Sequence, residues 1–189
     1  MRQTQATAID RESRQEEVRK LLPEIGLIGD PRFRAAVLEI WTEMWARSQH
    51  TNVAGAPFSH KCPGVSLIEH VRAVTLAAQG LASVITAVHG IQVDRDLLLT
   101  ACLLHDVSKL VEIGPDGQLT REGRLFPHAY LAAEAASKAG LSDEVVSLIV
   151  THTPVVNIRS PRYVEAFILE HADLASAHIL IESKAQSGA

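Results

Sequence analysis

Sulfur, aromatic rings and positive charge are all scarce in this chain, and each scarcity removes a class of protein. The 189 residues contain two cysteines, Cys62 and Cys102, which do not form a Cys-x-x-Cys pair. No disulfide framework or thiolate cage can be built from them, so a bound metal would take nitrogen and oxygen donors. Lys and Arg number 18 against 22 Asp and Glu, a net charge of −4, which offers no broad basic surface to nucleic acid phosphates. No uninterrupted apolar stretch approaches the roughly 20 residues of a membrane span. The opening Arg2-Gln3-Thr4-Gln5 lacks the apolar centre of a signal peptide. The expectation is a soluble, cytoplasmic protein with no membrane partner.

What the chain has in quantity is apolar residues at helical spacing. It is 47% hydrophobic, long enough for one well-buried domain and too short for two of ordinary size. An amphipathic stretch over 10–22 ends at Pro23. Asp30-Pro31 then opens a second helix to about Ser48, with Phe33, Val37, Ile40, Trp41 and Met44 on one stripe. Trp41 and Trp45 read as packing residues. Residues 50–64, rich in Thr, Asn, Gly, Pro and Ser, read as an ordered loop. A third helix covers about 66–88, with Leu67, His70, Val71, Val74 and Leu81 on one side. Asp94 caps a fourth helix that ends at His105 and in which Cys102 reads as a small buried hydrophobe. Gly114-Pro115-Asp116-Gly117 centres a loop over 110–127. Helices over 128–138 and 142–152 follow, and Ser160-Pro161 opens a last one reaching about Ile181. No strand alternation, repeat or low-complexity segment stands out. The predicted fold class is therefore all-α: an N-terminal helical extension over 1–49, a helical-bundle domain over 50–181 and a flexible tail over 182–189.

Chemistry gathers at His105-Asp106, which closes the apolar run from Leu97 to Leu104. A histidine and a carboxylate side by side at the end of a buried helix can both face one metal ion, and the carboxylate has a second oxygen for another. His70 comes before this pair in the chain, and His128, His152 and Asp173 come after it, each beside apolar residues that would bury it. His, His-Asp, His, His, Asp is a six-ligand order. Imidazole and carboxylate donors suit iron or manganese, with cobalt or zinc as further options.

The blocks Leu67-Ile68-Glu69-His70, Leu103-Leu104-His105-Asp106-Val107-Ser108-Lys109, and Ser160-Pro161 followed by Glu165-Ala166-Phe167-Ile168-Leu169 and Ala172-Asp173 carry a family resemblance. Over about residues 25 to 181 the chain resembles the HD-domain superfamily of metal-dependent phosphohydrolases, in particular the branch that includes HD-type 3′→5′ exoribonucleases. Ser59-His60 stands where that branch often has a His-His pair. The chain departs from the branch at Val65-Ser66, at Thr153 where a second histidine is frequent, and at Ser176 where an aspartate is common. It has no room for the separate oligonucleotide-binding barrel, so RNA degradation does not transfer.

The resemblance implies an HD-type helical bundle holding two divalent ions. His70, His105, Asp106 and Asp173 would hold one, and Asp106, His128 and His152 the other, with Asp106 bridging. Such a pair would ionise a shared water to a bridging hydroxide and polarise a phosphoryl oxygen of a small-molecule or nucleotide phosphate. Lys109, one turn after Asp106, would contact the substrate phosphate and stabilise its developing charge. Glu112 would orient Lys109 or a ligand histidine. His60 is the candidate proton donor to the leaving oxygen, and Arg124 and Arg159 are candidate phosphate clamps. The catalytic set is thus Asp106, Lys109 and His60. Two other readings stand beside hydrolysis: an HD-type diiron oxygenase built on the same ligands, and a non-catalytic nucleotide-binding sensor module. The N-terminal helix could serve a homodimer.

Overall fold

A computed structural model describes residues 2–153 and 163–187, with side chains described from Asp10 to Ser183 apart from Pro63 and residues 154–162. Nine helices and one small hairpin are found among the described residues. Helix α1 (Arg2–Leu21) leads through a short 3-10 turn, Pro23–Leu27, to α2 (Pro31–Arg47). Pro31 sits at the first helical position, and the Asp30 side chain accepts from the Arg32 amide at 2.8 Å, so the predicted start is the observed one. The Asp96 carboxylate accepts from the Gly29 and Asp30 amides, each at 2.7 Å, and so ties this turn to a later helix.

The stretch read as loop over 50–64 holds a hairpin that the sequence did not predict: β1 (Pro57–Ser59) and β2 (Cys62–Ser66), antiparallel, pairing Pro57 with Ser66 and Ser59 with Cys62. Strands of three and five residues are too short for an alternating pattern to show. The hairpin is fastened to α3 (Leu67–His89), because the Leu67 amide donates to Ala56 O at 2.8 Å and Ser66 Oγ to Ala54 O at 3.0 Å. Ser66 also caps α3, and Gly90, with φ 68°, ends it in the left-handed conformation that glycine adopts at least cost. By length and composition α3 could cross a membrane, a property that counting uninterrupted apolar runs does not register. Here one side of it packs on neighbouring helices and contains His70, Val71 and Val74. Leu81, expected on that side, is exposed.

Helix α4 (Arg95–Leu104) lies at the centre. Leu98 through Leu104 are all at most 1% exposed. Leu99, Leu103 and Leu104 face a core shared with α1, α2, α7 (Tyr130–Lys138) and α8 (Asp143–Thr151), while Leu98, Ala101 and Cys102 face a second core with α3 and α9 (Val164–Ser187). Fully burying each such leucine is worth about 1.5–3 kcal/mol, which fixes where α4 ends. Val18 and Leu22 of the N-terminal stretch belong to the first of these cores. The fully buried Trp41 donates from Nε1 to Leu103 O at 2.8 Å, against the last turn of α4.

After α4 the chain turns through His105–Ser108 into α5 (Lys109–Glu112) and then α6 (Arg121–Leu125), a one-turn helix inside the segment read as loop. Helix α7 begins at Tyr130 and not at His128. His128 precedes Ala129, whose φ of 65° places a non-glycine residue in the left-handed region, a conformation that costs about 1–2 kcal/mol and that sequence periodicity does not reveal. Helix α9 runs beyond Ile181 to Ser187, across the expected start of a flexible tail, and its proposed opening at Ser160-Pro161 lies outside the described residues.

Candidate metal centre

Six side chains from five parts of the fold meet at the end of α4. His70 comes from the first turn of α3, His105 and Asp106 from the turn closing α4, and His128 from the turn before α7. His152 immediately follows α8, and Asp173 lies in the middle of α9. Ligating atoms of His70, His105, Asp106 and Asp173 all lie within 4.8 Å of one another, and so do those of Asp106, His128 and His152. Asp106 is common to both groups. It is 1% exposed, held there because the buried stretch Leu98–Leu104 of α4 must stay inside the core.

The orientation of the four imidazoles is the informative detail. His105 Nδ1 donates to Cys102 O and His152 Nδ1 to Ile149 O, each at 2.7 Å. A carbonyl can only accept, so in the neutral ring the Nε2 lone pair is turned inward. His128 Nδ1 pairs with Glu112 Oε2, and His70 Nδ1 with Ser176 Oγ, both at 3.1 Å. In every case Nδ1 is occupied by a supporting group and Nε2 faces the carboxylates, the arrangement that fixes histidine ligands in metal sites. The Nε2 atoms of His70 and His105 approach to 3.3 Å. His128 Nε2 lies 2.9 Å from Asp106 Oδ1, yet Oδ1 is buried without a hydrogen-bond partner. Converging lone pairs and an orphaned carboxylate oxygen fit a divalent cation and leave a proton-only network incomplete.

Electrostatics show the strain. Burial lowers the His128 pKa, but the Asp106 and Glu112 carboxylates outweigh it and hold the ring at about 9. Burial also opposes a charge on His70, and Asp106 and Asp173 again win, so its pKa is raised. His152 goes the other way, pulled to about 3 by burial and by neighbouring His105. Burial would raise the Asp106 pKa, but Lys109 and His105 hold it well below the ordinary carboxylate range. Asp173 is lowered in the same manner, its burial being outweighed by His70 and His105.

A cavity of about 370 Å³ opens over this cluster. Its lining includes Asp106, Lys109, Glu112, His128, His152 and Asp173, with His60 and Lys61 from the tip of the hairpin. Lys109 Nζ lies 2.7 Å from Asp106 Oδ2 and 3.9 Å from the centroid of the Phe58 ring. Phe58 also rests on His70, with ring centroids 4.0 Å apart. Sequence reasoning missed Phe58, Lys61 and Phe126, all in the cavity wall, because nothing local marks a residue whose role is set by a distant neighbour. Ser176 stood out only as a departure from the family pattern, and it is the partner of His70. Arg124 does not line the cavity. It is exposed, and its guanidinium donates to the Leu119 carbonyl. Arg159 lies outside the described residues.

Comparison with known proteins agrees with this geometry. The chain is 30% identical over 134 residues, 67% of its length, to dihydroneopterin 2′,3′-cyclic phosphate phosphodiesterase of Methanocaldococcus jannaschii, and it covers 51% of that protein, about half its length. No solved structure matches. A family model described as the HD domain matches residues 67–177, a span that starts at α3 and ends just past Ser176. The chain belongs to the HD-domain family.

Proposed function

We propose that this protein is a metal-dependent phosphohydrolase that cleaves a phosphate ester of a small molecule or nucleotide, with a phosphodiester as the first choice. One observation carries the reading: four imidazole Nε2 atoms converge on Asp106 and Asp173 while each Nδ1 is tied off behind. The named activity of the archaeal relative supports a phosphodiester, and a cavity of about 370 Å³ suits a small molecule.

His70, His105, Asp106 and Asp173 would hold one divalent ion, and Asp106, His128 and His152 a second, with iron or manganese preferred by the donor set and cobalt or zinc as further options. When bound, such ions supply Lewis acidity to a phosphoryl oxygen and ionise a water at neutral pH. The protein's own groups do the rest. Lys109, held between Asp106 and the Phe58 ring, points an ammonium donor at a non-bridging phosphate oxygen. His60, on the exposed hairpin tip at the cavity mouth, supplies a proton to the leaving oxygen. Glu112 keeps the Nδ1 proton on His128. Residues 50–181 form the working unit, with 1–49 packed on it.

The test is hydrolysis of bis(p-nitrophenyl) phosphate and of a nucleoside 2′,3′-cyclic phosphate by protein reconstituted with Mn(II) or Fe(II), alongside Asp106→Ala shown to be folded by circular dichroism. Turnover by the wild type, with two metals per chain, is expected. The variant should lose the metals and about a thousandfold or more in rate. Full activity in the variant, or no turnover with any divalent metal, would overturn the reading.

A further inference from the structure

The cavity wall carries an aromatic residue that the hydrolytic chemistry does not use. Phe126 lines the cavity together with His128 and His152 and is 40% exposed, although a phenylalanine ring gains by burial. Its ring is parallel to that of Tyr130, with an interplanar angle of 3° and centroids 5.4 Å apart. Tyr130 does not line the cavity. Of the two parallel rings, Phe126 is thus the one presented at the cavity wall, with Tyr130 stacked against it.

The backbone that carries the ring is also tied down. Thr120 donates from its amide to Glu112 O at 2.9 Å and from Oγ1 to Val111 O at 2.6 Å. The Gly123 amide donates back to Thr120 Oγ1 at 3.1 Å, and the Phe126 amide to Glu122 O at 3.0 Å. Helix α6 is thus sealed onto the strand of chain that carries Glu112. The fit is close enough that a Cβ built at Gly123 would meet Glu112 O at 2.2 Å. A flat, exposed, pre-set aromatic face beside an anion-seeking centre is a stacking platform for a planar ring.

We infer that Phe126, backed by Tyr130, forms a stacking subsite for a planar heteroaromatic group, so that the substrate class is a heteroaromatic glycoside or ester bearing its phosphate a few bonds from the ring. The inference rests on the phosphohydrolase reading above for the placement of the phosphate. Phe126 is a specificity residue here, remote from the reacting atoms.

Two measurements test it. The Mn(II)-loaded enzyme is assayed with adenosine 2′,3′-cyclic phosphate and with the 2′,3′-cyclic phosphate of 1-O-methylribose, which lacks a base. The wild type is expected to favour the base-bearing ester in kcat/KM by about tenfold or more. Phe126→Leu should collapse that ratio mainly through KM, and Phe126→Trp should restore it. An equal ratio in wild type and Phe126→Leu overturns the subsite. Independently of turnover, the added fluorescence of Phe126→Trp over the wild-type background should be quenched saturably by 3′-AMP and not by ribose 5-phosphate. Absence of that difference overturns the inference. Quenching without hydrolysis of either ester would support the subsite while sinking the phosphohydrolase reading.

Discussion

At the scale of single residues, the centre shows how a side chain acquires a role from what lies behind it. Lys109 is an ordinary lysine one turn after an aspartate until Phe58 is placed beneath its ammonium at 3.9 Å. A cation over an aromatic face gains about 0.5–2 kcal/mol depending on desolvation, and with 13% of its side chain exposed the ammonium is largely withdrawn from water. Phe58→Leu keeps an apolar residue there but removes the π face. The expected result is a fall of about tenfold in kcat/KM for a phosphodiester, with Phe58→Tyr close to wild type. In proton NMR of the zinc-loaded protein, the upfield ring-current shift of the Lys109 ε-methylene protons should vanish in the leucine variant. Unmoved Lys109 resonances would mean that Phe58 only fills space. His70, His105, Asp106, His128, His152 and Asp173 were legible in the sequence because histidines and aspartates in that order beside apolar runs are chemically distinctive. Phe58 was not, because a phenylalanine in a short strand carries no mark of the distant Lys109 whose ammonium rests on it.

At the scale of elements, the decisive piece is the short segment from α5 to α7. It delivers Glu112, Phe126 and His128 to one cavity, although the sequence presents it as a polar loop with a turn at its centre. Its geometry depends on a close approach at Gly123, where a side chain would run into the Glu112 carbonyl at 2.2 Å. Backbone cannot yield there as the tip of a flexible side chain would. Gly123→Ala is therefore expected to cost about 1–3 kcal/mol and to lower the melting temperature by several degrees. It should also weaken metal binding, because Glu112 supports His128. A melting curve and a metal titration identical to wild type would show that α6 can shift without consequence. The long helices behaved differently. The Asp30-Pro31 cap, the Ser66 cap and the Asp94 cap all start helices where propensity places them, since capping is decided within four residues.

At the scale of the whole molecule, buried histidines with opposed shifts tie stability to pH. In metal-free protein the folded pKa of His128, about 9, lies above its unfolded value of 6.5. Its contribution is complete below pH 6.5 and is lost as pH rises toward 9, with raised His70 acting in the same direction. For His152, held near 3 when folded, the unfolded chain takes up the proton first, so stability is lost as pH falls below 6.5. Lowered Asp106 and Asp173 add further loss at acid pH, below their unfolded range. The metal-free protein should thus melt highest near pH 6.5 and lower on either side. Adding Mn(II) should raise the melting temperature most above that pH, because metal and proton compete for the same Nε2 atoms. A metal-induced rise that does not grow with pH would count against histidine ligation. The sequence by itself determined the helical class, the central apolar helix and the six polar residues on or beside helices, because periodicity, caps and ligand chemistry are local and each is encoded within a few positions. Only the tertiary structure decided that α4, buried on both faces between two cores, carries Asp106 to the point shared by both ligand groups. It alone turned each Nε2 inward and set Phe58 and Phe126 in the cavity wall, because these depend on contacts between residues distant in the chain.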